Sequence, residues 1–349
     1  MHMADALISP AVGGVMWVAS AGLIGYCSKK MKEEVDNSKI PLMGVIGAFI
    51  FAAQMINFTI PATGSSGHIG GGMILAILLG PHAAFLTLAS VLTVQALFFA
   101  DGGLLALGCN IFNLGFFPCF VAYPLIYKKI IGNNPSEKLI MTGTIIAAVV
   151  GLQLGAFSVV LETLVSGISS LPFGTFVLLV QPIHLAIGIV EGLATAAVVL
   201  FVWKSRPEIL QPCVSLKAVN RYSIKGVLAG FVAATLITGC TLSWFASAHP
   251  DGLEWAMFKT AGVEELAGPE DGVHSSLATL QEKTAFLPGY GFKSGETHSL
   301  EETVDLEEIA QVWPTIDPGT SMSGLVGGVL TLCLTVLIGV VVKRRKAIV

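Results

Sequence analysis

Apolar runs of roughly twenty residues recur along this chain, at about 8–27, 41–59, 82–100, 104–127, 139–160, 175–203, 226–247 and 323–342. Helical residues rise about 1.5 Å each, so every run is long enough for a hydrocarbon core about 30 Å thick. The pattern breaks once. A polar, glycine-rich stretch from Pro61 to His68 (PATGSSGH) precedes an apolar run of about 12 residues ending at Gly80 and Pro81. That run is too short to cross, so it predicts a half-helix preceded by a loop dipping into the membrane. Irregular backbone is tolerated at that depth only inside protein or beside a water-filled cavity. In transporters such a broken segment points to a binding site. The expected fold is an all-α polytopic membrane protein with about nine membrane segments, one of them partial and re-entrant.

Charge sets the orientation. With the amino terminus outside, the basic clusters at 29–39, 128–138, 204–225 and 343–346 face the cytoplasm and hold 16 of the 19 Lys and Arg. That obeys the positive-inside rule at every crossing. Lys259, Lys283 and Lys293 lie in one large extracytoplasmic insert, 248–322, which carries 14 carboxylates. Met1, the 61–68 loop and Asp101 share that outer side. Only 12% of the chain is charged, against about 25% in soluble domains. The start lacks a positive n-region and Asp5 interrupts it, so a retained chain start is expected rather than a cleaved signal. The six cysteines show no CxxC pair and read as small apolar packers.

Candidate chemistry concentrates on the outer side. Met1 and His2 offer the terminal amine, the main-chain nitrogen of His2 and its imidazole. These can wrap one ion in fused five- and six-membered chelate rings, and nitrogen sites of this kind suit Ni(II) or Cu(II). Taken alone, an ordinary terminus is the simpler reading of His2, and a loop histidine bonded to backbone is the simpler reading of His68. His68 is nevertheless the best candidate for a fourth nitrogen. Gln54 and Asn57 share one helix face, as do Asn110 and Asn113, and Gln95 lies near the outer end of its run. They serve either as supports for the imidazoles and the amino-terminal strand or as interhelical glue. His184, Gly188 and Glu191 follow one face of their run, and Glu191 reads as the sole acid well inside an apolar run.

Several strings together carry a family: the Met1-His2 start, QMINF at 54–58, GSSGH at 64–68, ALFFADGGLLALGCNIFNLG at 96–115 and HLAIGIVEG at 184–192. The chain resembles the substrate-binding component of nickel/cobalt energy-coupling-factor transporters, the NikM/CbiM type, over residues 1–203. A cytoplasmic linker is expected at 204–225. Residues 226–349 resemble the NikN-type partner, expected as two helices around the loop 248–322, which opens with the PDGLE motif at 250–254.

The resemblance implies metal ligands at Met1, His2 and His68, with Ni(II) as transported substrate and Co(II) as the alternative. It implies a multi-pass protein of a bacterial or archaeal cytoplasmic (inner) membrane. The chain has no GxxxxGK[ST] phosphate loop, so it is expected to be no enzyme but a transporter subunit. ATP hydrolysis would come from cytoplasmic ATPase (A) components through a transmembrane coupling (T) component. The lipid bilayer is its environment and no nucleic acid is implied. The acidic insert draws divalent cations to the mouth or simply keeps an external loop soluble. The competing class is an ion-coupled secondary metal transporter, for which only Glu191 and His184 supply mid-membrane ionisable groups.

Overall fold

The computed structural model describes residues 2–34, 39–169, 171–206, 210, 224–263, 266, 268–269, 272–293 and 314–344. Most of the expected linker and much of the insert lie outside these residues. The described elements are α1 (Pro10–Glu34), α2 (Lys39–Gln54), a hairpin β1 (Phe58–Ile60) and β2 (Ser65–Gly67), α3 (Gly72–Leu79) and α4 (Pro81–Phe99). Then come α5 (Leu107–Ile131), α6 (Glu137–Ser166), α7 (Phe173–Ser205), α8 (Ile224–Cys240), α9 (Gly252–Ala261), α10 (Gly272–Thr284) and α11 (Pro318–Arg344).

Among the described residues, six helices are long and apolar enough to cross a membrane: α1, α4, α5, α6, α7 and α11. The helices α2 and α8 are apolar but shorter. The half-helix α3 has eight residues, all buried. The chain is thus a mostly helical, multi-pass membrane protein.

Two runs differ from their sequence boundaries. The second was expected to continue to Thr59, but α2 ends at Gln54 and the chain turns into β1. Pro61 pushes the residue before it out of the helical region. Ala62 and Gly64 then take positive φ, 65° and 73°, and the chain returns as β2 with Thr59 opposite Ser66. In α5 the turns over Phe112–Tyr127 widen to a π-helix around Pro118 and Pro124, whose rings supply no N–H.

Glycine lets the helices pack closely. A Cβ on Gly192 of α7 would stand 2.7 Å from the Cα of Ile145 on α6. A Cβ on Gly324 of α11 would stand 2.3 Å from the Gly239 carbonyl of α8. Only residues without a side chain permit such approaches, and helix association in lipid relies on them.

Candidate metal centre

The first residues enter the protein interior and are held there by their main chain. Met3 is fully buried. Its N–H donates to Asn110 Oδ1 at 2.8 Å, and its carbonyl accepts from Asn110 Nδ2 at 3.2 Å and from the Gly103 N–H at 2.9 Å. Asp5 Oδ1 accepts from the Ala106 N–H at 2.9 Å. The strand lies so close to the 100–106 loop that a Cβ on Gly103 would stand 1.9 Å from Asp5 Oδ1.

This clamp presents His2 to the loop that carries His68. The His2 and His68 rings stack with centroids 5.1 Å apart and planes 23° from parallel. His2 Nδ1 lies 2.7 Å from Asp101 Oδ1, and among the described residues its buried Nε2 has no hydrogen-bond partner. A chelate that also uses the His2 main-chain nitrogen must close through Nδ1, the nitrogen now on Asp101. Met1 lies outside the described residues. His68 Nδ1 contacts the Ile69 carbonyl at 3.1 Å. A carbonyl only accepts, so the Nδ1 carries the proton and Nε2 keeps its lone pair.

Burial alone would push Asp101 up, but the field of His2 and hydrogen bonds from His2 and Tyr290 outweigh it and hold the carboxyl below the usual range. Tyr290 donates its hydroxyl to Asp101 Oδ2.

The loop bearing His68 is braced from several sides. Gln54 Nε2 donates to the Gly70 carbonyl at 2.8 Å, and Gln95 Nε2 donates to Gln54 Oε1 at 2.9 Å. Glu191 accepts from the N–H groups of Gly70 at 2.9 Å and Gly71 at 3.1 Å, at the start of α3. The PDGLE segment closes the outside. Ser66 donates its N–H to the Pro250 carbonyl at 2.8 Å and its hydroxyl to the His249 carbonyl at 2.7 Å. Trp255 Nε1 donates to the Thr63 carbonyl at 2.9 Å, and Asp251 and Glu254 form a capping box on α9.

The other sequence candidates fall nearby in different roles. Asn57 accepts the Ser247 N–H on its carbonyl at 2.7 Å and so sits at the junction with the second half. Asn113 Nδ2 donates to Glu162 Oε2 at 2.8 Å and lies 3.9 Å from Met3 Sδ. Glu162, only 7% exposed, corrects the reading of Glu191 as the sole acid deep in an apolar run. It stands beyond residue 160, where hydropathy ended that run, while α6 continues to Ser166. His184 contacts the Val180 carbonyl through Nδ1 at 2.7 Å.

Sequence reasoning missed Asp101 and Tyr290 as site residues. Asp101 had a signal, since it stands in the distinctive ADGG string. Tyr290 had none, because it meets Asp101 across 189 positions of chain. Outside the histidines lies a cavity of about 920 Å³ whose lining includes Asp5, Asp101, Asp251, Glu254 and Glu282. Among the described residues, no three His, Cys, Asp or Glu side chains converge as a metal cage.

Fold and site together define a multi-pass membrane protein whose amino-terminal strand meets the loop before α3 under an acidic vestibule. The chain belongs to the family of the cobalt uptake substrate-specific transmembrane region, CbiM, whose model matches residues 2–209; a PDGLE domain matches 225–344. The fused nickel transport protein NikMN of Rhodobacter capsulatus is 30% identical over 316 residues, covering 83% of this chain and 88% of that protein. A counterpart in Archaeoglobus fulgidus, provisionally named a fused nickel transport protein NikMN, is 31% identical over 342 residues and 96% of both chains. The solved structure of a truncated transition metal transporter is 30% identical, with a TM-score of 0.52 over 58% of this chain and 99% of that one.

Proposed function

We propose that this chain is the substrate-capture component of an energy-coupling-factor transporter that imports Ni(II), with Co(II) as the alternative cargo. Residues 1–203 form the metal-binding unit, and 226–349 form a NikN-like unit whose insert covers it. Nine crossings, the third partial, give each basic cluster a cytoplasmic position. ATP hydrolysis belongs to partner ATPase subunits acting through a transmembrane coupling component.

The observation that carries this reading is the clamped strand that stacks His2 on His68, with few other side-chain donors in reach. The donors are the Met1 amine, the His2 main-chain nitrogen and Nδ1, and His68 Nε2. Four nitrogens satisfy a tetragonal Ni(II) site. The amine and amide must lose protons to bind, so capture releases them. To donate, His2 Nδ1 must leave Asp101. A half-turn of the ring about Cβ–Cγ does this and carries Nε2 to the former place of Cε1, beside the same carboxylate. Asp101 then accepts from Nε2–H, as carboxylates do behind metal-bound imidazoles. The carboxylates of the vestibule raise the local concentration of divalent cations.

The test is a Ni(II) titration of the purified full chain with its native start and with one alanine added before Met1. The extension converts the amine to an amide and is expected to abolish high-affinity binding, as are His2→Ala and His68→Ala. Full affinity in the extended protein removes the amine from the ligand set. Uptake that survives ATP depletion but stops with a proton or sodium uncoupler assigns the chain instead to secondary transport.

A further inference from the structure

The metal site is joined to the second unit by one continuous chain of side chains. Tyr290 donates its hydroxyl to Asp101 Oδ2, and Asp101 Oδ1 meets His2 Nδ1 at 2.7 Å. The tyrosine is fixed in turn. Its ring stacks on Phe99 of α4 at 5.2 Å and 22° and meets the Phe51 edge at 6.2 Å. Its carbonyl accepts from Ser323 Oγ of α11 at 2.9 Å. Nearby, the Leu287 N–H donates to the Phe98 carbonyl at 3.2 Å. Tyr290 also adopts φ 64°, a left-handed conformation uncommon for a residue with a side chain. Packing on both sides offsets that local cost and places the hydroxyl over Asp101.

A carboxylate beside an imidazole orients the ring only if the carboxylate is itself held. Asp101 sits in a glycine loop with Gly102 at φ 81°, and its N–H donates to the Gln95 carbonyl at 3.2 Å. Tyr290 occupies one oxygen and leaves the other for His2. Resting on the capture reading above, we propose that Tyr290, supplied by the second unit, is a positioning residue for the metal ligand His2 and acts through Asp101. The site held by residues 1–203 is thus completed by a residue from the second unit. Once the half-turn has placed His2 Nε2–H on Asp101, a seated Tyr290 keeps Nδ1 turned toward the ion; docking of the insert and retention of the ion are thereby one event, and withdrawal of the insert loosens His2.

Outer supports of metal-bound histidines commonly contribute about 10–100-fold in affinity. Tyr290→Phe removes the hydroxyl and keeps the ring stack. In the purified full chain it is expected to weaken Ni(II) affinity about 10-fold or more and to shift the Ni(II) d–d absorption band. Asp101→Asn is expected to weaken binding at least as much. Combining the two should add little, because both act through one path. The proposal is overturned if Tyr290→Phe binds Ni(II) within twofold of the parent with an unchanged spectrum, or if the two losses simply add. Phe99→Leu, which disturbs the stack and keeps the hydroxyl, separates packing from orientation: an equal loss of affinity with no spectral shift in Tyr290→Phe also overturns the proposal. Failure of the capture reading looks different, since the alanine-extended parent would then bind as well as the native one.

Discussion

Asn110→Leu is the sharpest test of how the amino-terminal strand is held. Leucine shares the branching of asparagine and is somewhat larger, bonds to nothing and leaves little room for water. Met3 N–H, buried and among the described residues bonded only to Asn110 Oδ1 at 2.8 Å, loses its acceptor, at a cost of about 1–3 kcal/mol. The Met3 carbonyl loses one of two donors but keeps the Gly103 N–H at 2.9 Å, so that loss is only about 1 kcal/mol. Together the docked strand weakens by about 2–4 kcal/mol, roughly a 30- to 1,000-fold shift toward the undocked form. Burial of the Met3 side chain offers about 1.5–3 kcal/mol to resist, against about 1–2 kcal/mol per ordered residue. Undocked protein then dominates, and apparent Ni(II) affinity falls in proportion to the docked fraction. A competition titration measures that fall, and the rate of aminopeptidase trimming should rise with it. A folded variant that retains affinity within threefold and is trimmed no faster refutes the clamp.

Other outcomes follow from the same geometry. Gly103→Ala forces a Cβ to 1.9 Å from Asp5 Oδ1 and 2.5 Å from its main-chain nitrogen, so it should displace the strand and abolish Ni(II) binding in the same titration. Glu191→Gln puts an NH2 where one of two backbone N–H groups now donates, so thermal unfolding should show a loss of about 1–3 kcal/mol with the Ni(II) site still occupied. The pH dependence of capture between about pH 6 and 8 lies in the amine and the amide. The amine, ordinarily near 7.7–8.0, and the amide do lose protons, so affinity should rise with pH through this range. Calorimetry in buffers of different ionisation enthalpy should count between one and two protons released per Ni(II), and none released would contradict amine and amide ligation.

The long apolar helices were legible because hydropathy reports them directly, and the break before α3 because glycine and proline interrupt an apolar pattern. Gln54 and Asn110 were legible as polar residues in need of partners, though the partners were not. What stayed hidden arises from contacts between distant residues. Glu162 looked peripheral because hydropathy could not see α6 continuing past it. The β1–β2 hairpin was hidden because Phe58 and Thr59 extend the apolar pattern of the run before them, while Ser65–Gly67 lie in a glycine-rich stretch that reads as loop. Tyr290 is one aromatic residue in an acidic insert, and nothing local distinguishes it.

The hairpin explains why the second unit lies where it does. Its two strands leave an outer edge with unpaired main-chain groups, which are costly wherever water is scarce. Ser66 meets that need by pairing alongside Asp251, so the PDGLE segment acts as a third strand. Immediately afterward Asp251 caps α9, accepting the N–H groups of Leu253 at 2.7 Å and Glu254 at 2.9 Å. The Pro250 carbonyl takes the Ser66 N–H, Asp251 pairs with Ser66 and starts the helix, and Gly252 fits against Ile183 of α7, where a Cβ would stand 2.5 Å away. The first two residues of the motif thus meet a need of the loop that carries His68. The same constraint works in reverse: without the PDGLE segment the Ser66 N–H has no acceptor, and the position of His68 loses one of its supports.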